Sequence, residues 1–417
     1  MEYVIGRTDG KETLRTKGEK HTFLSGYTEL QQSVSGFYTI TDTMLITEHY
    51  HSAEDADGIC YDWYFITNRE RTLSPTEETH EGDWGYYTPD TRYLDGVAWD
   101  AMNMKLTDFY IRDPFVMLCD GMYFMYGSNI ISPDLGDAGF SCYISRDLVN
   151  WLGAYDLTAG TVDWTGKDNF WAPEIIYRNG WFYMPVCYRN VETKERGCAM
   201  LASQCPLGKF WDISGGWFTD GGKNVIDPSL YISPENEVWC LWSNGNEDTG
   251  EIMLAKFNDG ITALETEPEV LFTKNDVPWA INGVCEAPFV HTLKNGKLAM
   301  LVSGFGEGGY TVGQALADNI HGPWSVMSEP IFSEDGGHAM IFRDKRGKLM
   351  MALHQPNTAD YDNGIIEHAR FIEVKEDLEN NCVRLASWVP PTDPERPNEP
   401  SIWDEMDAAY EEGVNSI

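Results

Sequence analysis

One pattern recurs five times in this chain: a polar residue, an apolar strand-like run, a short turn and a second apolar run. The clearest copy is residues 111–129, IRDPFVMLCDGMYFMYGSN. Its Asp120-Gly121 pair marks a hairpin turn, because Gly takes the positive φ that such turns need. The polar residues that begin the five copies are Asp113, Glu174, Asp227, Glu286 and His338.

The spacing of the five copies predicts the fold. They follow one another at intervals of roughly fifty to sixty residues. A period of that length, with strand pairs in each unit, is typical of β-propeller blades of about four strands. We therefore predict an all-β protein with a five-bladed β-propeller. Because the first strand of each blade lines the central channel, the five polar residues should converge on one axial pocket.

The flanking regions do not follow this period. Residues 36–50 and 59–67 resemble strands, so residues 1–104 are expected to form an additional N-terminal β-rich segment of uncertain role. That segment is either a layer packed on the propeller or a piece joined to a complete catalytic unit. The propeller is predicted to occupy residues 105–390. The acidic, Pro-rich residues 391–417 are predicted to be a tail with a linker and a short helix.

Charge and composition restrict the partners. The net charge of −36, from 66 acidic against 30 basic residues, argues against nucleic acid and anionic membrane surfaces. No apolar run approaches the roughly 20 residues needed to cross a bilayer. The start, MEYVIGRTDGKETLR, lacks the apolar core of a signal peptide. Nine scattered cysteines favour reduced thiols. These features predict a cytoplasmic protein and leave its oligomeric state open.

Carboxylates gathered in one pocket suit the hydrolysis of a glycosidic bond. This reaction needs a proton for the departing oxygen and a base that activates water. Crowded acids oppose joint ionisation, so some stay protonated near neutral pH. Glu286, between Cys285 and Ala287, is expected to have the raised pKa, whereas Arg112 should favour the ionised form of Asp113. Taken singly, each Asp-Pro pair would be a turn starter, but their place in the repeat favours function.

Five short motifs follow one another in register along the chain: Arg112-Asp113-Pro114, Trp171-Ala172-Pro173, Ile226-Asp227-Pro228, Glu286-Ala287-Pro288 and Gly337-His338. Together they resemble the motifs of glycoside hydrolase family 43, over residues from about 105 to 375. The blade endings SRDLVNW and GPW are also typical of that family. The resemblance implies a five-bladed propeller that cleaves arabinofuranosyl or xylosyl linkages, with inversion, in plant-type oligosaccharides or polysaccharides.

The resemblance also implies roles for three carboxylates. Asp113 matches the general base, Glu286 the general acid, and Asp227 the carboxylate that tunes the acid and holds it in place. Glu174 lies at a variable position and receives no role. One departure is that Glu286 lies in CEAPF, where many members have EGP. The first hundred residues have no counterpart in the family pattern, which leaves open how the pocket is shaped.

Further residues are candidates for binding. His338 matches an axial histidine that, in arabinan-cleaving members, helps hold a calcium ion or its waters, and no organic cofactor is implied. Trp171 matches an aromatic near the sugar pocket, although an indole serves a core equally well. Arg112 and His354 are candidate substrate contacts; His354 could equally be structural.

Two other functions stay open at this stage. A retaining, fructan- or sucrose-cleaving propeller would carry an early Trp-x-Asn-Asp-Pro nucleophile motif, which the chain lacks. A non-catalytic carbohydrate-binding propeller would have lost one of the three carboxylates, and all three are present. The sequence does not separate arabinofuranose from xylopyranose, or exo from endo action.

Overall fold

The computed structural model describes residues 97–98 and 101–387, apart from 120–121, 129–138, 179–180, 246–249, 282–283 and 345–346. Before residue 97 it describes only the strands of two antiparallel hairpins, β1 (Thr13–Leu14) with β2 (His21–Thr22) and β3 (Met44–His51) with β4 (Asp62–Asn68). The strands predicted within 36–50 and 59–67 are thus present as β3 and β4. The predicted tail, 391–417, lies outside the described residues.

The remaining strands form five antiparallel sheets, which confirms the five-bladed propeller. Blade 1 contains β5 (Arg112–Cys119), β6 (Met122–Ser128), β7 (Ser141–Ser145) and β8 (Trp151–Asp156). Blade 2 contains β9 (Lys167–Trp171), β10 (Ile176–Arg178), β11 (Trp181–Asn190), β12 (Arg196–Ser203) and β13 (Trp211–Trp217). Blade 3 contains β14 (Val225–Ile232), β15 (Val238–Asn244), β16 (Glu251–Lys256) and β17 (Glu269–Thr273).

Blade 4 contains β18 (Glu286–Thr292), β19 (Leu298–Gly306), β20 (Gly309–Ala317) and β21 (Ser325–Val326). Blade 5 contains β22 (Gly337–Arg343), β23 (Leu349–Gln355), β24 (His368–Asp377) and β25 (Cys382–Leu385). In the described part of the chain, short 3-10 helices cover Leu106–Asp108, Lys274–Asp276 and Tyr361–Asn363. Among the described residues, no helix has the length and apolar character that a membrane span needs.

The core lies between neighbouring blades rather than in one central layer. Separate apolar clusters join blade 2 to blade 3, blade 3 to blade 4, and blade 4 to blade 5. A fourth cluster joins blade 1 to blade 2 and, through Met340 and Phe342, to blade 5. Since side chains alternate between the two faces of a strand, a blade buried on both faces needs nearly continuous apolar strands. That requirement explains runs such as FVML in β5 and LAMLV in β19.

Each blade has a bulge at the top of its innermost chain segment. At this bulge, one residue of each blade has φ between 48° and 58°, a left-handed conformation that is uncommon for residues other than Gly. In four blades the pairing register also shifts at this point, as expected for a bulge that turns the side chain out of the regular alternation. These five residues, called the bulge residues, are Asp113, Ala172, Asp227, Ala287 and His338.

The register corrects one part of the sequence interpretation. The sequence pattern makes the five polar residues equivalent, but Glu286 directly precedes the bulge residue Ala287, and Glu174 follows the bulge residue Ala172 by two positions. Glu286 therefore occupies the blade position of Arg112 rather than that of Asp113. A repeat identified from polar and apolar pattern alone does not reveal such an offset, because a bulge changes the count of residues along the strand.

A ring of buried side chains on the second strands supports the bulges. These five residues, called the ring residues, each pair with the residue that precedes a bulge: Ser128, Cys187, Ser243, Ser303 and His354. The ring residue of one blade generally accepts the backbone N–H of the next blade's bulge residue. Three of these bonds join Ala172 N to Ser128 Oγ at 2.7 Å, His338 N to Ser303 Oγ at 2.9 Å, and Asp113 N to His354 Nδ1 at 3.2 Å.

Blade 4 departs from this scheme. The N–H of Ala287 donates instead to Asp227 Oδ2, at 3.1 Å. Ser243, the ring residue of blade 3, donates to the carbonyl oxygen of Cys285 at 3.0 Å. The exception brings the carboxylate of Asp227 against the backbone next to Glu286.

Candidate active site

Asp113 lies at the centre of a polar cluster at the top of the channel. Its Oδ2 accepts a hydrogen bond from the Ser128 hydroxyl. Its Oδ1 lies 3.2 Å from His338 Nδ1 and 3.3 Å from His354 Nδ1. Burial by itself raises the pKa of Asp113, but polar neighbours that include His338, Arg112 and the Ser128 hydrogen bond outweigh it, and the pKa is lowered. With 13% of its side chain exposed, Asp113 is an ionised carboxylate that solvent can reach.

His354 supports Asp113 from behind. Its ring has no exposed surface, and burial lowers its pKa to about 4, so the imidazole is neutral. Because Nδ1 accepts the Asp113 N–H, the proton belongs on Nε2, which lies 3.1 Å from Asn357 Oδ1. A fully buried ring does not fit the expected substrate contact, and the structural alternative fits His354 better.

Glu286 has the opposite electrostatic environment from Asp113. Burial raises its pKa, and the nearby Asp113 carboxylate raises it further. Two groups act in the other direction, since Tyr310 donates its hydroxyl hydrogen to Glu286 Oε1 at 2.8 Å and the positive charge of Arg112 also favours ionisation. The net pKa stays above the ordinary value. Glu286 is therefore the carboxyl of this pair that can hold a proton for donation.

Asp227 belongs to the same cluster as Asp113 and Glu286. Its Oδ2 lies 3.9 Å from His338 Nδ1 and accepts the Ala287 N–H. Burial, then the charges of Glu286 and Asp113, raise its pKa well above the usual range. Because like charges oppose joint ionisation, the protonation of Asp227 and that of Glu286 depend on each other. The cluster thus brings together all three carboxylates expected from the sequence, with His338.

Glu174 lines the same space as Asp113 and His338. The empty volume there is about 240 Å³, including its opening to solvent, and Phe115 and Phe289 also line it. Burial raises the pKa of Glu174 to about 8, although a hydrogen bond from the Leu230 backbone counteracts it. A carboxyl in these surroundings is mostly protonated at neutral pH.

The two other candidate binding residues are Arg112 and Trp171. Arg112, with 28% of its side chain exposed, donates to Asn357 Oδ1 at 2.7 Å and lies 3.4 Å from Glu367 Oε1. Trp171 is half-buried, and the guanidinium of Arg196 lies 4.6 Å from the centre of its ring. This cation–π contact covers one face of the indole. A sugar-platform role for Trp171 stays a prediction.

The expected calcium ion was tested against the ligands present. Calcium takes six to eight oxygen ligands at about 2.3–2.6 Å. Within the described part of the chain, no three His, Cys, Asp or Glu side chains converge as a metal site. His338 directs Nδ1 to Asp113, which leaves Nε2 as its only further ligand atom. The described side chains thus do not fit a protein-built calcium site, and a water-held ion stays a prediction.

Several residues of the cluster were missed by the sequence analysis. Ser128, Ser243 and Ser303 recur near the ends of second strands, so the repeat itself carried a signal for them. Tyr310 lies on the third segment of its sheet and Asn357 in a loop, and neither had a local motif. Their contacts with Glu286 and Arg112 arise only when distant parts of the chain meet.

The sequence profile of Glycosyl hydrolases family 43 matches residues 106–374. The chain belongs to this family. Family membership, together with the carboxylate cluster, establishes a glycoside hydrolase that acts on carbohydrate. No curated protein sequence matches the chain.

Solved structures of family 43 relatives share the fold. An endo-arabinase from Bacteroides thetaiotaomicron is 30% identical, with a TM-score of 0.58, over 66% of this chain and 97% of that chain. An endo-1,4-beta-xylanase from the same organism is 24% identical, with a TM-score of 0.53, over 67% of this chain and 96% of that chain. An exo-1,5-alpha-L-arabinanase from a bovine ruminal metagenomic library is 18% identical, with a TM-score of 0.53, over 70% of this chain and 99% of that chain. The last two likenesses concern the fold alone.

Proposed function

We propose that this family 43 chain is an inverting hydrolase of arabinofuranosyl or xylosyl linkages in plant-type oligosaccharides or polysaccharides. The observation that carries the proposal is the opposite perturbation of two carboxyls in one cluster, with a lowered pKa for Asp113 and a raised pKa for Glu286. Groups whose environments separate their pKa values in this way suit base and acid roles.

Asp113 acts as the general base in this mechanism. It takes a proton from a water molecule while the water oxygen forms a bond to the anomeric carbon. The Ser128 hydroxyl and the Asp113 backbone N–H, held by His354, fix the orientation of the carboxylate. His338, at 3.2 Å from Oδ1, limits the positions that the water can take.

Glu286 acts as the general acid. It gives its proton to the departing glycosidic oxygen, which keeps the electron pair of the breaking C–O bond. A single displacement of this kind inverts the anomeric configuration. Asp227 holds the Ala287 N–H beside the acid, and its charge state influences when Glu286 releases its proton.

Among substrates, arabinan is the first choice. The relative with 30% identity is named an endo-arabinase, whereas the xylanase and the exo-arabinanase are more distant in sequence. The activity panel consists of aryl α-L-arabinofuranoside, β-D-xyloside and β-D-galactoside, with linear arabinan and xylan as polymers. Hydrolysis of the galactoside alone would contradict the proposal. The sizes of the products from arabinan separate endo from exo action.

Stereochemistry tests the mechanism independently of the sugar. Proton NMR of the first-formed product should show the opposite anomer from the substrate. A retained anomer would instead support a double displacement, as in the fructan- and sucrose-cleaving propellers. Binding of oligosaccharide without turnover would support a non-catalytic propeller.

Leaving-group dependence separates the acid from the base. A sugar alkoxide needs a proton to depart, whereas a dinitrophenolate leaves without one. Glu286→Gln should therefore lose most activity on oligosaccharides and keep much more on dinitrophenyl glycosides. Asp113→Asn should lose activity on oligosaccharides and on dinitrophenyl glycosides alike, because water must be activated in either case. An unchanged ratio of the two rates in Glu286→Gln would remove Glu286 as the acid and make Glu174 the next candidate.

A calcium ion on the axis is a separate proposal. His338 would contribute one ligand and waters the others, because a hard cation prefers oxygen. Chelator treatment should then lower the activity or melting temperature of the parent, and calcium should restore it, while His338→Gln should not respond. Equal behaviour of the parent with and without chelator would contradict this role.

A further inference from the structure

We propose that Tyr310 is a positioning residue that orients the general acid Glu286 and determines which of its oxygens carries the transferable proton. The inference rests on the proposed acid role of Glu286. Its basis is the hydrogen bond from the Tyr310 hydroxyl to Glu286 Oε1, at 2.8 Å. An oxygen that accepts this bond serves as the carbonyl oxygen of the neutral carboxyl. The proton then belongs on Oε2, which is the oxygen that protonates the leaving group.

The position of Tyr310 is closely constrained. It is almost fully buried, with 2% of its surface exposed. Its backbone N–H donates to Asp335 Oδ1 at 3.1 Å, and its carbonyl accepts the Gly336 N–H at 2.9 Å. A Cβ on Gly337 would lie only 2.4 Å from the tyrosine ring, so the glycine provides the space that the ring fills. The phenol is therefore held in place before substrate binds.

The same ring links the acid to the support of the base. Tyr310 stacks on His354, with ring centroids 5.4 Å apart and planes 25° from parallel. His354 in turn accepts the Asp113 N–H at 3.2 Å. A continuous set of contacts thus runs from the acid on blade 4, through Tyr310 and His354, to the base on blade 1. The separation of acid and base depends on this packing rather than on the two carboxyls alone.

Several other charged or titratable groups face this pair. Asp113 and Arg112 act on Glu286 from β5, Asp227 from β14, and Cys285 precedes Glu286 on its own segment. Tyr310 donates to the ionised form of Glu286 and so lowers its pKa. Its removal should raise the pKa of Glu286. Activity needs the protonated acid, so the alkaline limb of the pH profile should move to higher pH.

The test uses Tyr310→Phe in the full chain, because phenylalanine keeps the ring that stacks on His354. We expect kcat/KM on an arabino-oligosaccharide at the parent's optimum to fall by about tenfold or more, an amount typical for one lost polar contact to a charged group. The fall on dinitrophenyl arabinoside should be much smaller. The alkaline limb should move up by about one unit, which corresponds to about 1.4 kcal/mol.

Tyr126→Phe is the matched control. The Tyr126 hydroxyl is also buried and donates to the Pro206 carbonyl at 2.9 Å, away from the carboxylate cluster. Both variants should lose similar thermal stability, but only Tyr310→Phe should change the leaving-group ratio and the pH profile. If Glu286→Gln shows leaving-group dependence while Tyr310→Phe matches Tyr126→Phe, the inference is wrong and the acid assignment stands. If Glu286→Gln shows none, the acid assignment itself fails.

Discussion

The hydroxyl of Ser128 performs two functions that one substitution can remove together. It donates to Asp113 Oδ2, and it accepts the N–H of Ala172 at 2.7 Å. Ser128 itself is buried, with 2% of its surface exposed. Ser128→Ala should therefore weaken the base in one blade and leave an amide of the next blade without its acceptor.

The magnitude follows from these two bonds. A hydrogen bond to a charged group contributes about 1.5–3 kcal/mol, or about one to two pKa units. Because Asp113 keeps Arg112 and His338 as neighbours and remains partly exposed, we expect the lower end, about one unit. The loss of the bond raises the pKa of Asp113, and activity needs its ionised form, so the acidic limb should move to higher pH. The unpartnered Ala172 amide should cost about 1–3 kcal/mol of the free energy of unfolding.

The assay is kcat/KM against pH, together with chemical denaturation of each variant. Ser303→Ala is the control, because Ser303 Oγ accepts the His338 N–H at 2.9 Å and supports the same kind of bulge. Both variants should lose similar stability, but only Ser128→Ala should move the acidic limb by about one unit. If the limb moves equally in both variants, or in neither, the hydroxyl does not set the pKa of Asp113 and the reasoning is refuted.

Three further predictions concern the base, the channel and the N-terminus. Asp113→Asn should lower kcat by about 10²–10⁴-fold with little change in melting temperature; a loss within tenfold would contradict base catalysis. As the pH rises from about 5 to about 8, the parent should lose about 1.4 kcal/mol of its free energy of unfolding per pH unit, because folded Glu174 keeps a proton that the unfolded chain releases. Glu174→Gln should lose less over the same range. Parallel curves of unfolding free energy against pH would contradict the raised pKa of Glu174. A chain that begins at Met102 should fold and hydrolyse if residues 1–104 were added to a complete propeller; insoluble or inactive protein would show that they complete its core or pocket.

Much of the fold followed from the sequence by itself. A fivefold repeat of strand pairs allows few architectures, because each blade buries its two faces only against neighbouring blades and the series must close. Turn residues fixed the hairpins locally: Asn236, Gly296 and Gly347 have the positive φ that their turns need. The three carboxylates could also be identified early, since their place in the repeat distinguished them from ordinary Asp-Pro turns.

Only the tertiary structure decided how those carboxylates differ. The bulges offset Glu286 from Asp113 by one position, and sequence pattern does not count a bulge. The pKa shifts depend on burial and on partners that are distant in the chain, such as Tyr310 of the same blade for Glu286 and His338 of blade 5 for Asp113. Electrostatic environment is set by distance in space: Glu286 and Tyr310, 24 positions apart, meet when blade 4 folds, and Asp113 and His354, 241 positions apart, meet only when the propeller closes. The sequence thus predicted an acid and a base, and the folded chain supplied the neighbours that shift the pKa values of Glu286 and Asp113 in opposite directions.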